Sequence, residues 1–198
     1  MANTFKMKKS VAESLSLERS LAAHAGAPRL FSASGFLSSW RDGLRARGVL
    51  PKSVPSLTAR MMIRANRERL TYFLTYYVGL VSLSPNLGEP AVEIVLSDED
   101  RLEIRISSGY RVENAMLLMS TADILRLSAA KQRLLSEAAE ELGVSVIFDQ
   151  TKSEMCVRLG IAMQRADAVG VREESALERA ALLSAMAAAF ADLAENEI

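Results

Sequence analysis

Ile63 to Pro85 reads IRANRERLTYFLTYYVGLVSLSP, the pattern of a polar turn that opens a long apolar helix. Asn66 suits the N-cap, because its side-chain oxygen can accept from the free amides of the first turn. Leu70, Phe73, Leu74, Tyr77, Val78 and Val81 recur at helical spacing, and Tyr72, Tyr76, Leu80 and Leu83 make the other side apolar too. A helix apolar nearly all round must be covered on more than one face, by a sheet and by further helices or a partner chain. Leu70 to Leu83 is 14 residues without a charge, short of the roughly 20 that cross a bilayer, so a buried helix is expected and no membrane span. Pro85, Asn86, Gly88 and Pro90 then break the chain.

Beyond that break the period changes from helical to two. Val92, Ile94 and Leu96, then Leu102, Ile104 and Ile106, alternate as two strands with one buried face, joined by Ser97 to Asp100 as a hairpin loop. Residues 111–126 are ambiguous, with Met116 to Met119 apolar. Ser128 is placed to cap a helix that keeps Leu134, Leu135, Ala138 and Leu142 on one face and ends at Gly143. Val144–Phe148 and Met155–Ile161 form a last strand pair. On the N-terminal side, Met61–Ile63 is a short strand, and Phe36–Arg47 sets Phe36, Leu37, Trp40 and Leu44 opposite its arginines on an amphipathic helix. Residues 8–25 form an N-terminal helix stopped by Gly26 and Pro28, and Arg172–Ile198 forms an independent, alanine-rich C-terminal helix after a break at Gly170. This order gives an α/β fold, a two-layer sandwich with helices on one face of a mixed sheet. The units are residues 1–29, an N-terminal helical segment, 30–165, the α/β domain, and 170–198, the C-terminal helix.

Composition bounds the function. With 198 residues, 49% of them hydrophobic, the chain is neither disordered nor fibrous. Lys+Arg and Asp+Glu both number 24, so the chain as a whole lacks the basic excess that non-specific nucleic-acid binding needs. Cys156 is the single cysteine and can form no intramolecular disulfide; with no apolar run after Met1 to Lys9, a cytoplasmic setting is expected. One histidine, His24, excludes a multi-histidine metal site.

The element order and several local strings resemble the ATP-binding domain of bacterial sensor histidine kinases, the GHKL or Bergerat fold, over about residues 30–163. IRANRERL looks like the opening of that family's N-box helix, Leu83-Ser84-Pro85 like its close, and AEELGVSVIF (Ala139–Phe148) like its late helix, glycine turn and strand. The resemblance implies three nucleotide-binding positions, and each is altered here. The asparagine that holds magnesium aligns with Gly79, flanked by Val78 and Leu80, none of which can ligate a hard cation. The Asp-x-Gly-x-Gly motif that recognises adenine aligns with RISSGYRV, which offers Ser107, Ser108 and Gly109 and no carboxylate. The glycine-rich lid falls near Ala129, Ala130 and Lys131. The expectation is a fold retained with nucleotide binding lost: a pseudokinase with no catalytic residue, no cofactor and no metal. Its partner would be a protein of two-component signalling, a response regulator or a kinase, and the chain would self-associate through its terminal helices.

The remaining candidates each have two readings. His24 complements a helix dipole, or it is the phosphoacceptor of a two-component phosphotransfer protein built on the same scaffold. Asp98, Glu99 and Asp100 form a solvated turn before they form a cation site. Cys156 is a small thiol on an alternating strand before it is a nucleophile. Arg41 to Arg69 holds eight basic and two acidic residues, read first as a solvated face, second as a surface for an acidic protein and third as a nucleic-acid surface. The aromatic stripe Tyr72, Phe73, Tyr76 and Tyr77 reads first as core and second as an interface, and Arg60, Arg64, Tyr72 and Tyr76 are the candidate partner-binding residues. The acidic C-terminal segment could attract this basic run within one chain or between two.

Overall fold

In a computed structural model the described residues are 2–58, 60–98, 100–111, 119–166 and 175–194. The elements are α1 (Ala2–Ala23), β1 (Arg29–Ser32), α2 (Ala33–Arg45), β2 (Pro51–Ser53), β3 (Met61–Ala65), α3 (Arg67–Ser82), β4 (Ala91–Asp98), β5 (Arg101–Gly109), α4 (Thr121–Ile124), α5 (Ala129–Leu142), β6 (Val144–Gln150), β7 (Glu154–Ala162), β8 (Gln164–Arg165) and α6 (Ala176–Ala194). The Gly170 break and residues 112–118 of the ambiguous 111–126 segment lie outside the described residues.

A five-stranded sheet in the order β2-β4-β5-β7-β6 is mixed, since β2 runs parallel to β4 and the other neighbours are antiparallel. Its inner face is the alternating set read from the sequence, with Ile94, Ile104, Ile106, Val157 and Leu159 buried. The expected α/β sandwich is therefore present. It differs in one respect: the strand at Met61 belongs to a separate three-stranded sheet, β1-β3-β8. β1 was hidden in a stretch that reads as a turn, because four residues with one arginine and one serine carry too little periodicity.

Local chemistry sets the helix ends. The Asn66 side chain accepts from Arg69 N at 2.9 Å to start α3, and Ser128 accepts from Lys131 N at 3.3 Å to start α5. Gly143 closes α5 at φ +66°, a left-handed conformation that favours glycine. Ser32 caps α2 four residues before Phe36, the first residue of the apolar stripe, so the helix begins earlier than Phe36.

Every residue of α3 from Leu70 to Val81 is buried, as an all-round apolar helix requires. Trp40 Nε1 donates to Thr75 Oγ1 at 3.0 Å and ties α2 to it. The C-terminal helix was expected to stand alone, and here the structure differs. Leu182, Ala185, Met186, Ala189 and Leu193 are buried on α2 and α3. Small residues permit the approach: a Cβ on Gly43 would collide with Met186 Sδ, and one on Gly79 with Leu193 Cδ1. Ser175 and Glu178 bond each other's backbone amides, a capping box that fixes where α6 starts. Among the described residues no helix is long and apolar enough to cross a membrane.

Candidate functional site

The three positions that the resemblance marks for a nucleotide are occupied in three different ways. Gly79 lies under α6, where an oxygen-bearing side chain would have to displace Leu193, with the Phe190 ring 3.6 Å from the position of a Cβ. Ser107 to Gly109 are ladder residues of β5, paired with Cys156, Met155 and Glu154 of β7. Their backbone is extended and bonded, not an open glycine turn that a base could approach. At the third position Ser128 caps the amide of Lys131, whose side chain is buried.

Tyr72 and Tyr76 were singled out as partner contacts, and both are wholly buried within this chain. They stack on each other with ring centroids 5.9 Å apart. Tyr72 OH donates to Asp192 Oδ2 at 2.6 Å, and Ser16 Oγ donates to Asp192 Oδ1 at 2.8 Å, so one carboxylate of α6 joins α1 and α3. Burial first, and then the bond to Asp192, push the Tyr72 hydroxyl far above the ordinary phenol range. The aromatic stripe is core because helices of its own chain cover it. Asp192 is the residue that sequence reasoning missed, although an acid among alanines, leucines and a phenylalanine was a usable signal.

Arg60 and Arg64 are exposed. Arg60 borders an open cleft of about 730 Å³ with Arg165 on its rim and Leu57, Met61 and Leu96 among its lining. Much of the basic run is engaged elsewhere. Arg69 pairs with Glu141, Arg67 lies 5.7 Å from the Phe31 ring, and Arg47 lies 4.9 Å from the Phe190 ring. The two ends of the chain do meet, within one chain, but by packing and by an Arg179–Asp42 pair at 3.2 Å, in which the acidic segment supplies the cation.

His24 follows the last turn of α1, its amide donating to Ser20 O at 3.2 Å, and its ring lies 5.6 Å from that of Tyr72. It lines a cleft of about 330 Å³ with Arg29, Asn66, Arg67, Glu68 and Glu178. Burial pushes its pKa below the ordinary value, while Glu68 and Asp192 pull the other way.

Cys156 is half-buried on the outer face of β7, and burial, then Asp149 and Glu154, raise its thiol pKa, which keeps it protonated and a poor nucleophile. Asp98 and Asp100 sit at a hairpin end, Asp100 pairing with Arg165 at 3.8 Å, and Glu99 lies outside the described residues. Among the described residues no three of His, Cys, Asp and Glu gather as metal ligands. A further cavity of about 570 Å³ lies between Tyr77 of α3, the α5 face at Leu135 and Ala139, and Val146 and Phe148 of β6.

No family model matches the chain, and no curated protein matches it. The solved structures similar to it include histidine kinase domains. The Acinetobacter baumannii histidine kinase AdeS is 13% identical, with 78% of this chain and 77% of that one covered at a TM-score of 0.48. The mycobacterial sensor histidine kinase MprB is 11% identical, with 71% of this chain and all of that one covered (100%) at a TM-score of 0.41. Neither value transfers a residue's role or an activity to this chain.

Proposed function

We propose that the chain is a non-catalytic signalling module, a histidine-kinase-like domain that has lost nucleotide binding and acts through protein contacts. The observation that carries this reading is the packing of Leu193 and Phe190 against Gly79. Where an active kinase of the resembling family needs an amide oxygen and room for a hydrated magnesium, this chain has a glycine under two apolar side chains. The replacement of the adenine aspartate by Ser107 and Ser108 points the same way. The partner on this reading is a response regulator or a kinase, met through exposed Arg60 and Arg64. The reading includes a cytoplasmic setting, for which the single cysteine is the support. Calorimetric titration with magnesium ATP tests it. No heat of binding is expected, and micromolar affinity would overturn the reading.

One observation favours a second reading, phosphotransfer through His24. The imidazole lines an accessible cleft that also holds Arg29 and Arg67, two cations able to meet an incoming phosphoryl group. Incubation with a phosphorylated response regulator separates the readings. Label that appears on the wild type and not on His24→Ala supports phosphotransfer, and label on neither chain removes it.

A further inference from the structure

A sheet edge offers unpaired amides and carbonyls to any strand that reaches it, and soluble chains blunt such edges with proline, lysine, irregular register or shortness. Three of the four edges here are blunted. β2 has three residues, begins at Pro51, carries Lys52 and shifts register against β4. β8 has two residues, and β1 has four and begins with Arg29. β6 is different. It runs seven residues, VSVIFDQ, with no proline and no lysine, in unbroken register with β7 from Val144 to Gln150. Among the described residues no backbone bond reaches its other edge. Ile147 is 42% exposed on the outer face and Phe148 is 39% exposed on the inner one, so both faces of this edge present apolar surface to water.

We propose that β6 is a homodimer interface, on which a second copy of this chain adds its own β6 antiparallel to form one continuous sheet. The strand is self-complementary. In an antiparallel pair, residues directly opposite share a face, so a two-fold axis has to pass beside a residue and not between two. With the axis at Ile147, Ile147 meets its own copy, Val146 meets Phe148 and Ser145 meets Asp149, and all seven residues take part. Moving the axis to Phe148 sets Ile147 against Asp149, and moving it to Val146 sets Ser145 against Ile147 and shortens the ladder. Charge agrees with this register. Asp149 faces Ser145 of the second copy and is held by Arg158 of its own β7 at 2.5 Å, so no carboxylate is set against another across the axis. Val146 and Phe148 also line the 570 Å³ cavity, so the incoming strand's Phe148 closes over its rim.

This interface differs from the terminal-helix association expected from the sequence: Leu17, Leu21, Leu182, Met186 and Leu193 are buried within one chain, while Val11, Leu15, Leu177 and Leu183 stay exposed on those helices. It is independent of the nucleotide reading, since the Gly79 side of α3 takes no part.

Sedimentation velocity of the full chain from about 1 to 100 µM tests the proposal by mass action. A concentration-dependent shift to the mass of two chains is expected. Ile147→Lys should weaken the dimer at least tenfold, whereas Leu15→Glu on α1 should leave it unchanged. If Ile147→Lys fails to fold, cross-linking decides. In a Cys156→Ser background, Ile147→Cys should oxidise to a disulfide-linked dimer and Val95→Cys, on β4, should not. A one-chain mass at every concentration, or a dimer indifferent to Ile147→Lys with Ile147→Cys unlinked, overturns the proposal.

Discussion

The two sides of α3 ended differently. On the side of Gly79 the helix meets α6, and the contact is apolar apart from the carboxylate of Asp192 on Tyr72. On the side of Tyr77 it borders a cavity of about 570 Å³, where Arg133, Gln132 and Glu140 stand at the α5 wall. Side chains of α6 therefore cover the position aligned with the metal-binding asparagine, whereas the cavity beside Tyr77 lies next to the Ala129–Lys131 turn of α5. On the proposed reading α6 closes the site, because a face with a glycine at its centre is flat enough to accept a helix at van der Waals distance. Each prediction below sets one side of α3 against the other.

Removal of residues 170–198 should have the largest effect. It takes Leu182, Met186 and Leu193 out of the core, each at about 1.5–3 kcal/mol, and exposes the α3 face beneath them. That loss is comparable with the whole net stability of a domain, about 5–15 kcal/mol. The shortened chain should show no cooperative thermal transition. An unchanged midpoint would mean that residues 30–165 are complete without α6 and that the contrast between the two sides is superficial.

Gly79→Asn comes next. The side chain must push Leu193 aside and leave an amide among apolar groups, so overpacking and desolvation together should cost about 2–4 kcal/mol in urea denaturation. Leu193→Ala in the same chain should recover part of the loss, because the two positions share one space. No recovery would place the strain elsewhere. Tolerance together with magnesium ATP binding would show that one residue, and not the added helix, closed the site.

These effects also explain what could be read from the chain. The buried strands and α3 were legible because a period of two or an all-round apolar pattern is a property of the segment alone. Asn66, Ser128 and Gly143 were legible because capping acts over three or four residues. β1, β2 and the division into two sheets were not, since strands of four and three residues are fixed by the neighbour they pair with. For Tyr72 and Tyr76 the core reading holds and the partner-contact reading does not, for a related reason. An excess of apolar faces says that something must cover them, and not whether it is another chain or a helix a hundred residues further along the same one. Arg60 and Arg64 are exposed because, among the described residues, nothing distant covers them.

Tyr72→Phe sharpens the comparison at a smaller scale. It removes only the hydroxyl that donates to Asp192, while the Ser16 hydroxyl still donates to the same carboxylate. A hydrogen bond to a charged group contributes about 1.5 kcal/mol or somewhat more, and the variant should lose about that amount in urea denaturation, with unchanged cooperativity. A loss confined to a few tenths would mean that α6 is held by its apolar contacts alone.

The smallest effect should come from His24, which sits where α1, α3 and α6 converge. Its folded pKa lies below the ordinary 6.5 because burial disfavours the imidazolium more than Glu68 and Asp192 favour it. Near that pH the unfolded chain binds more protons than the folded one, so this group's contribution to stability is present above 6.5 and is lost as the pH falls from 6.5 toward the lower folded value. Across that window the urea midpoint of the wild type should fall relative to that of His24→Gln as the pH drops. Curves that stay parallel would mean that the imidazole titrates as it does in water. The cleft would then be too open for its burial to matter, and the Gly79 side of α3 would be less tightly closed at its N-terminal end than at Leu193.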